Sequence, residues 1–169
     1  MSLPAIDVSL MNEHLSTHKG QLHKLKQYYQ QIRDPYIKQI TNAQTIIMEN
    51  HVDVMLSLLD PYHNHWVQVI PLQQVFNQLQ LNQASPIKQP SDKSIVLELH
   101  STAKFMANNN FLSALMMKND NVKQVHYEMA TQQANFEKIY SDYIKHMEWS
   151  VTTHVDDDEQ LKIINHFQQ

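Results

Sequence analysis

Apolar residues recur every three or four positions along the first 59 residues of the chain, in two separate runs. This spacing places side chains on one face of an α-helix, so it predicts a first helix over about 7–33 and a second over about 35–59. Asp7 is the predicted N-cap of the first helix. Pro35 and Pro61 end the two runs, because proline disfavours helical backbone at the residue before it. The predicted inward positions are Val8, Met11, Leu15, His18, Leu22, Leu25, Tyr29 and Ile32, then Ile37, Ile40, Gln44, Ile47, His51, Val54 and Leu58.

The second half of the chain repeats this pattern on either side of the polar segment "KND" at 118–120. We expect a third long helix over about 92–118 and a fourth over about 120–149. A shorter amphipathic helix is predicted over about 157–167, because acidic residues at its start interact favourably with the helix dipole. The predicted inward positions are Ile95, Leu99, Phe105, Met106, Leu112, Leu115 and Met116, then Val122, Val125, Met129, Gln132, Phe136, Ile139 or Tyr140, Tyr143 and Met147.

The lengths of the connections select a topology. Short breaks join the first helix to the second and the third to the fourth, which makes each pair antiparallel neighbours. Residues 60–91 contain four prolines and one candidate short helix at 72–81. A connection of that length can run the whole length of a helix. The sequence therefore predicts one all-α domain over 1–169, a ferritin-like four-helix bundle with one long crossover between helices 2 and 3 and a short C-terminal helix.

Composition removes several classes of function. The chain has one glycine, Gly20, and no cysteine, which excludes glycine-rich nucleotide loops, disulfides and zinc–thiolate sites. Its 13 basic and 17 acidic residues include no basic cluster, so we expect no nucleic-acid partner. The sequence also has no apolar run of about 18 residues and no pattern of a secretion signal. We therefore expect no association with membranes.

Glutamate and histidine lie close together at four places in the chain, which raises the question of a metal site. Ferritin-like metal sites use a Glu-x-x-His pair, because residues three positions apart share one helix face. Here the separation is two positions, which points the side chains about 200° apart. We therefore predict no catalytic residue, no metal ligand and no cofactor. The four pairs are Glu49 and His51, Glu98 and His100, His126 and Glu128, and His146 and Glu148.

A polar layer is predicted between the four long helices. His18 and His51 occupy inward positions at nearly the same height along the bundle. Asn110 on the third helix and Gln132 on the fourth are predicted to lie at that height too. Buried polar groups normally bond to one another or to a buried water molecule, and we interpret the layer in this way. The alternative is a metal site that uses histidine. His14, one turn before His18, is expected to face solvent.

Residues 113–150 resemble part of a known family. The polar segment "KNDNVK" at 118–123 is followed by "EMATQQANFEKIYSDYIKHMEW", with Ser150 where many relatives have tyrosine. These features are similar to the C-terminal helix pair of the coat F family of spore coat proteins, and "NEHLSTHKGQLHKLKQYYQ" matches that family more loosely. The resemblance implies a ferritin-like, non-enzymatic structural component of the bacterial spore coat, synthesised in the mother-cell cytoplasm. The alternative function is that of a ferritin-like metal-binding protein, an iron or manganese oxidoreductase or store.

The expected partners are other spore coat proteins and a second copy of the chain. Symmetric pairing is the commonest arrangement of oligomers. Several apolar residues lie outside the four long helices and have to be covered by something. They are Trp66, Val67, Val69 and Ile70 in the crossover and Ile163, Ile164 and Phe167 in the tail.

Overall fold

The computed structural model describes residues 2–63, 65–81, 85–86 and 89–168, and within them it contains six α-helices and no strand. The predicted all-α class is confirmed. A 3₁₀ turn at Pro90–Asp92 precedes the fourth of the helices. The helices are α1 Ala5–Gln31, α2 Pro35–Leu59, α3 Leu72–Gln78, α4 Lys93–Met116, α5 Asp120–His146 and α6 Asp157–Phe167.

Three helices begin at polar residues whose side chains bond to the first turn. Asp34 accepts hydrogen bonds from two backbone N–H groups of α2, Asn119 does the same for α5, and Asp156 accepts one from α6. These bonds satisfy donors that have no partner inside the helix. The predicted limits of α2 and α6 are confirmed. α4 and α5 end two and three residues earlier than predicted, at Met116 and His146.

Asp7 is not the N-cap of α1, so that prediction was wrong. The helix begins at Ala5, directly after Pro4, and Asp7 lies inside the first turn. The carboxylate of Asp7 is buried and accepts hydrogen bonds from the backbone N–H groups of Lys118 and Asn119, at 2.9 and 2.8 Å. Asp7 therefore ties the start of α1 to the turn between α4 and α5.

The four long helices pack around a shared apolar core. α1 lies along α2 and α4 lies along α5, and each pair is joined by three residues; α1 also contacts α4, and α2 contacts α5. The short helix α3 packs on α2. The segment before α3 crosses two helices, because the Asn50 side chain bonds to Ile70 and the Asn121 side chain bonds to Val67. This segment covers the core at the level where the polar layer lies.

Helix α4 is apolar on two faces. Val96, Leu99, Ala103 and Met106 are buried against the core. The opposite face exposes a stripe of large side chains, which we call the α4 stripe: Leu97, Phe105, Phe111, Leu112, Leu115 and Met116. Four of the predicted core residues, Phe105, Leu112, Leu115 and Met116, are thus at the surface, and so is Val8 in α1. Periodicity detects an apolar face but does not tell which of two such faces is buried.

The tail and the crossover differ in how they are covered. Every residue of α6 is exposed, including Ile163, Ile164 and Phe167. In the crossover Val69 is buried, whereas Trp66 remains 59% exposed. None of the described helices has the length and hydropathy needed to cross a membrane.

Candidate histidine site in the helical core

The structure brings together His18, His51 and Gln132 of the predicted polar layer. His18 and His51 are buried, with their ring centroids 5.6 Å apart. Nε2 of His51 lies 2.7 Å from Oε1 of Gln132, which is also buried. Asn110 is fully buried on α4. Each of the four long helices therefore supplies one polar side chain to the layer.

Two further histidines belong to the same cluster. The centroid of the His14 ring lies 6.0 Å from that of His18 and 5.1 Å from that of His126. His14 was expected at the surface, and that prediction was wrong: it is 7% exposed, and Ser113 Oγ lies 2.9 Å from its Nε2. His126 was not predicted in the layer at all. We call His14, His18, His51 and His126 the histidine site.

A wider inward face explains both omissions. Positions 11, 15 and 18 of α1 were predicted to face inward, whereas the structure buries Met11, His14 and His18 and leaves Leu15 only partly buried. On α5, Val125 and His126 are buried side by side. Core-facing helices bury a stripe at least 100° wide, which admits adjacent residues. The spacing of four residues between His14 and His18 was the available signal.

Hydrogen bonds fix the tautomers of three of these histidines. Nδ1 of His18 lies 2.8 Å from the carbonyl oxygen of His14, and Nδ1 of His126 lies 2.8 Å from that of Val122. Nε2 of His51 faces Oε1 of Gln132, whose Nε2 donates to Ile70. These oxygens only accept hydrogen bonds, so each of these ring nitrogens carries the proton. The second nitrogen of each ring is left with a lone pair.

The lone-pair nitrogens point at no protein donor. Within the described residues, Nε2 of His18, Nδ1 of His51 and Nε2 of His126 have no hydrogen-bond partner, and the same holds for Nδ1 of His14. The side-chain amide of Asn110 lies beside His14 but outside hydrogen-bonding geometry. Most buried side-chain polar atoms in proteins have a partner. A cluster of four unpartnered nitrogens therefore marks a place where a small ligand gains interactions.

Burial keeps the site uncharged at neutral pH. Loss of hydration lowers the pKa of His51 and of His126 from 6.5 to about 4. Burial also lowers the pKa of His18 well below its usual value, with His51 as the next cause, and lowers that of His14. Desolvation penalises the charged imidazole, and neighbouring imidazoles add repulsion. All four rings are thus neutral, and His18, His51 and His126 are free to offer their lone pairs.

The comparisons with known proteins add no family to this geometry. The chain matches no family model, no curated protein and no solved structure. The resemblance to the coat F family stays a prediction.

Carboxylates lie outside the histidine site. Glu49 pairs with Lys26, Glu98 pairs with Lys24, and Glu137 pairs with His100, all on the outer parts of the helices. No group of three or more His, Asp or Glu side chains in the described part of the chain is placed to hold a metal ion as it stands. A ferritin-like pair of iron or manganese ions needs several carboxylates, so the residues present do not fit that cofactor.

Proposed function

We propose that this chain is a non-enzymatic structural component of the bacterial spore coat, with a ferritin-like four-helix bundle and one long crossover between α2 and α4. Two helical hairpins joined by a long connection support the proposed architecture. The resemblance of residues 113–150 to the coat F family supports the proposed location, which follows synthesis in the mother cell. The lack of carboxylates around the histidine site favours this function over an iron or manganese enzyme or store.

The observation that carries a structural role is the α4 stripe. Its six large apolar side chains are each between 37% and 54% exposed; four of them lie in the last six residues of the helix, and Leu97 and Phe105 lie on the same face nearer its start. Exposed apolar patches of this extent mark surfaces that bind another macromolecule. A protein that assembles into a coat requires such surfaces, whereas an enzyme that acts on a small molecule does not.

A second copy of the chain is the occupant that fits the α4 stripe. Two α4 helices packed antiparallel through their stripes, with the two-fold axis at the height of Met106 along the helix, bring Leu97 opposite Leu115 and Lys104 opposite Asn108, so like charges do not meet. Together, the exposed halves of the six side chains contribute on the order of 500 Å² of apolar surface. With the polar residues at its margin, the face approaches the roughly 800 Å² per partner of a stable interface. We therefore propose a homodimer, which other coat proteins then contact.

Light scattering on the full chain tests this proposal. We expect the wild type at about twice its 19.9 kDa mass, and Leu112→Glu at the monomer mass, because a charge buried within the interface cannot be solvated there. Val151→Glu is the matched control, since Val151 is an exposed apolar residue of the tail. A wild type that stays monomeric, or a Leu112→Glu variant that stays dimeric, contradicts the interface.

Localisation tests the biological role separately. A tagged wild-type copy is expected at the spore surface in sporulating cells, and the Leu112→Glu variant is expected to lose that pattern. A copy that is spread evenly through the mother cell contradicts the coat assignment even if the dimer forms.

A further inference from the structure

The hydrogen bonds around the histidine site are those that orient metal-bound histidines in other proteins. A histidine that binds a metal with one ring nitrogen usually donates the other N–H to a carbonyl or carboxylate, which fixes the ring. His18 and His126 donate to backbone carbonyls, and His51 donates to the Gln132 side chain. The hydrogen bonds that orient metal-binding histidines are therefore present, and the opposite ring nitrogens have lone pairs without another partner.

Charge decides which ions fit. Among the carboxylates, Asp7 raises the pKa of His126 and Glu13 raises that of His14, in both cases by less than burial lowers it. A divalent ion would bring two positive charges into a buried layer of neutral amides and imidazoles, where unpaired charge is strongly disfavoured. No three His, Asp or Glu side chains of the described residues share a coordination point either. Both facts favour a monovalent ion with few ligands.

Soft thioether groups lie on the same helix faces as the histidines. Met11 precedes His14 by three residues on α1, and Met129 follows His126 by three residues on α5; both methionines are fully buried. Met55, four residues after His51, packs in one cluster with them. Imidazole and thioether are ligands that copper in its reduced state accepts.

We propose that the histidine site binds one monovalent copper ion between Nε2 of His18 and Nδ1 of His51. Two imidazoles suffice for this ion, and metal–nitrogen bonds of about 2.0 Å place two ring centroids about 6.3 Å apart when the ion is linear and closer together when it is bent. The observed separation of 5.6 Å lies below the linear value and is compatible with a bent arrangement of the two rings around the ion. His14 and His126 complete the neutral pocket, and no electron or proton transfer accompanies binding.

Silver(I) is the probe, because it has the same charge and ligand preference and does not change oxidation state. The full chain is titrated with Ag(I) at pH 7 and studied by native mass spectrometry and thermal melting. We expect one retained ion per chain and a rise of about 5 °C in the melting temperature at a large excess over the dissociation constant. His51→Leu is expected to lose both effects. His23→Gln, which changes an exposed histidine of α1, is expected to keep them.

Nitrogen NMR of the wild-type imidazoles keeps the test decisive even if His51→Leu unfolds. Ag(I) is expected to shift Nε2 of His18 and Nδ1 of His51, while the opposite nitrogens keep their protons. Absence of a retained ion overturns the proposal. So do shifts confined to exposed histidines, such as His63 and His65, whose rings lie together in the crossover.

Discussion

Two buried polar regions of this protein differ in how completely they are bonded. Near the middle of α2 and α5, the hydroxyl of Tyr140 donates to Gln44, the Gln44 amide donates to Gln133, and the Gln133 amide donates to the sulfur of Met48. We call these residues the glutamine network. One to two turns further along α2, the histidine site has the same burial but leaves four ring nitrogens without a protein partner.

The difference separates a structural role from a binding role. A buried network in which every donor has an acceptor fixes the register of the helices and has no spare interactions to offer. A cluster with unused lone pairs is less stable by itself and gains free energy from a ligand that uses them. Burial alone therefore does not identify a site, whereas an imbalance between donors and acceptors does. Three experiments test this distinction.

The largest effect is expected from mild acid, and it acts on the histidine site. The pKa of His51 and that of His126 are about 4 in the folded chain and 6.5 when exposed, so below pH 6.5 the unfolded chain binds more protons. Stability is therefore complete above pH 6.5 and falls as the pH drops towards 4. Between pH 7 and pH 5 the loss is about 2 kcal/mol for each of these two histidines, or on the order of 4 kcal/mol.

Urea unfolding at a series of pH values measures this loss. The ordinary carboxylate pKa values lie near 4, so the interval down to pH 5 reports mainly on histidine. His51→Leu is expected to reduce the loss between pH 7 and pH 5 by about 2 kcal/mol, the share of that one histidine, and His146→Gln, at an exposed position, is expected to leave the pH dependence unchanged. A stability that is constant from pH 7 to pH 5 contradicts burial of neutral histidines.

The next largest effect is expected in the glutamine network. Gln44→Leu leaves the Tyr140 hydroxyl and the Gln133 carbonyl oxygen without their partner, and each buried unpartnered group costs about 1–3 kcal/mol. We expect a loss of about 3 kcal/mol in the free energy of unfolding, measured with urea at pH 7. The matched control adds Gln133→Met and Tyr140→Phe, and it should be more stable than Gln44→Leu alone. A triple variant that is less stable shows that the network is not a closed unit.

The smallest effects are expected for leucine at single positions of the histidine site. His51→Leu removes the donor to Gln132 and should lose about 1–2 kcal/mol. His18→Leu removes a ring whose Nε2 has no partner and should stay within about 1 kcal/mol of the wild type. The double variant should resemble His51→Leu in thermal melts at pH 7 without added metal. A larger loss for His18→Leu than for His51→Leu contradicts this view of the site.

Local signals made much of the helical structure predictable. Pro35 after Asp34, and Asn119 in a polar break, act within a few residues, so the starts of α2 and α5 followed from the sequence alone. The level of His18 and His51 also followed, because both were counted from the same short connection. Predictions of this kind depend only on helix geometry and on side chains that bond to their own helix.

Features that depend on contacts between distant segments were not predictable. Asp7 resembles an N-cap in sequence, and only the approach of Lys118 and Asn119 shows its actual role. Phe105 fits a core position by periodicity, yet α4 turns its other apolar face inward. His14 and His126 belong to the site because α1 and α5 approach each other. The spacing of residues within one helix gives no information on the distance between two helices.

The two buried carboxylates that receive backbone hydrogen bonds from distant segments bear on folding kinetics. Asp7 joins residues 111 positions apart, and Asp92 joins the end of α1 to the start of α4 through Arg33 and Asp34. The helical hairpins on either side rely on contacts close in sequence, which form fast, whereas these ties close long loops. We therefore expect these hydrogen bonds to form after the transition state of folding. They then stabilise the folded state but not the transition state, so they slow unfolding more than they speed folding.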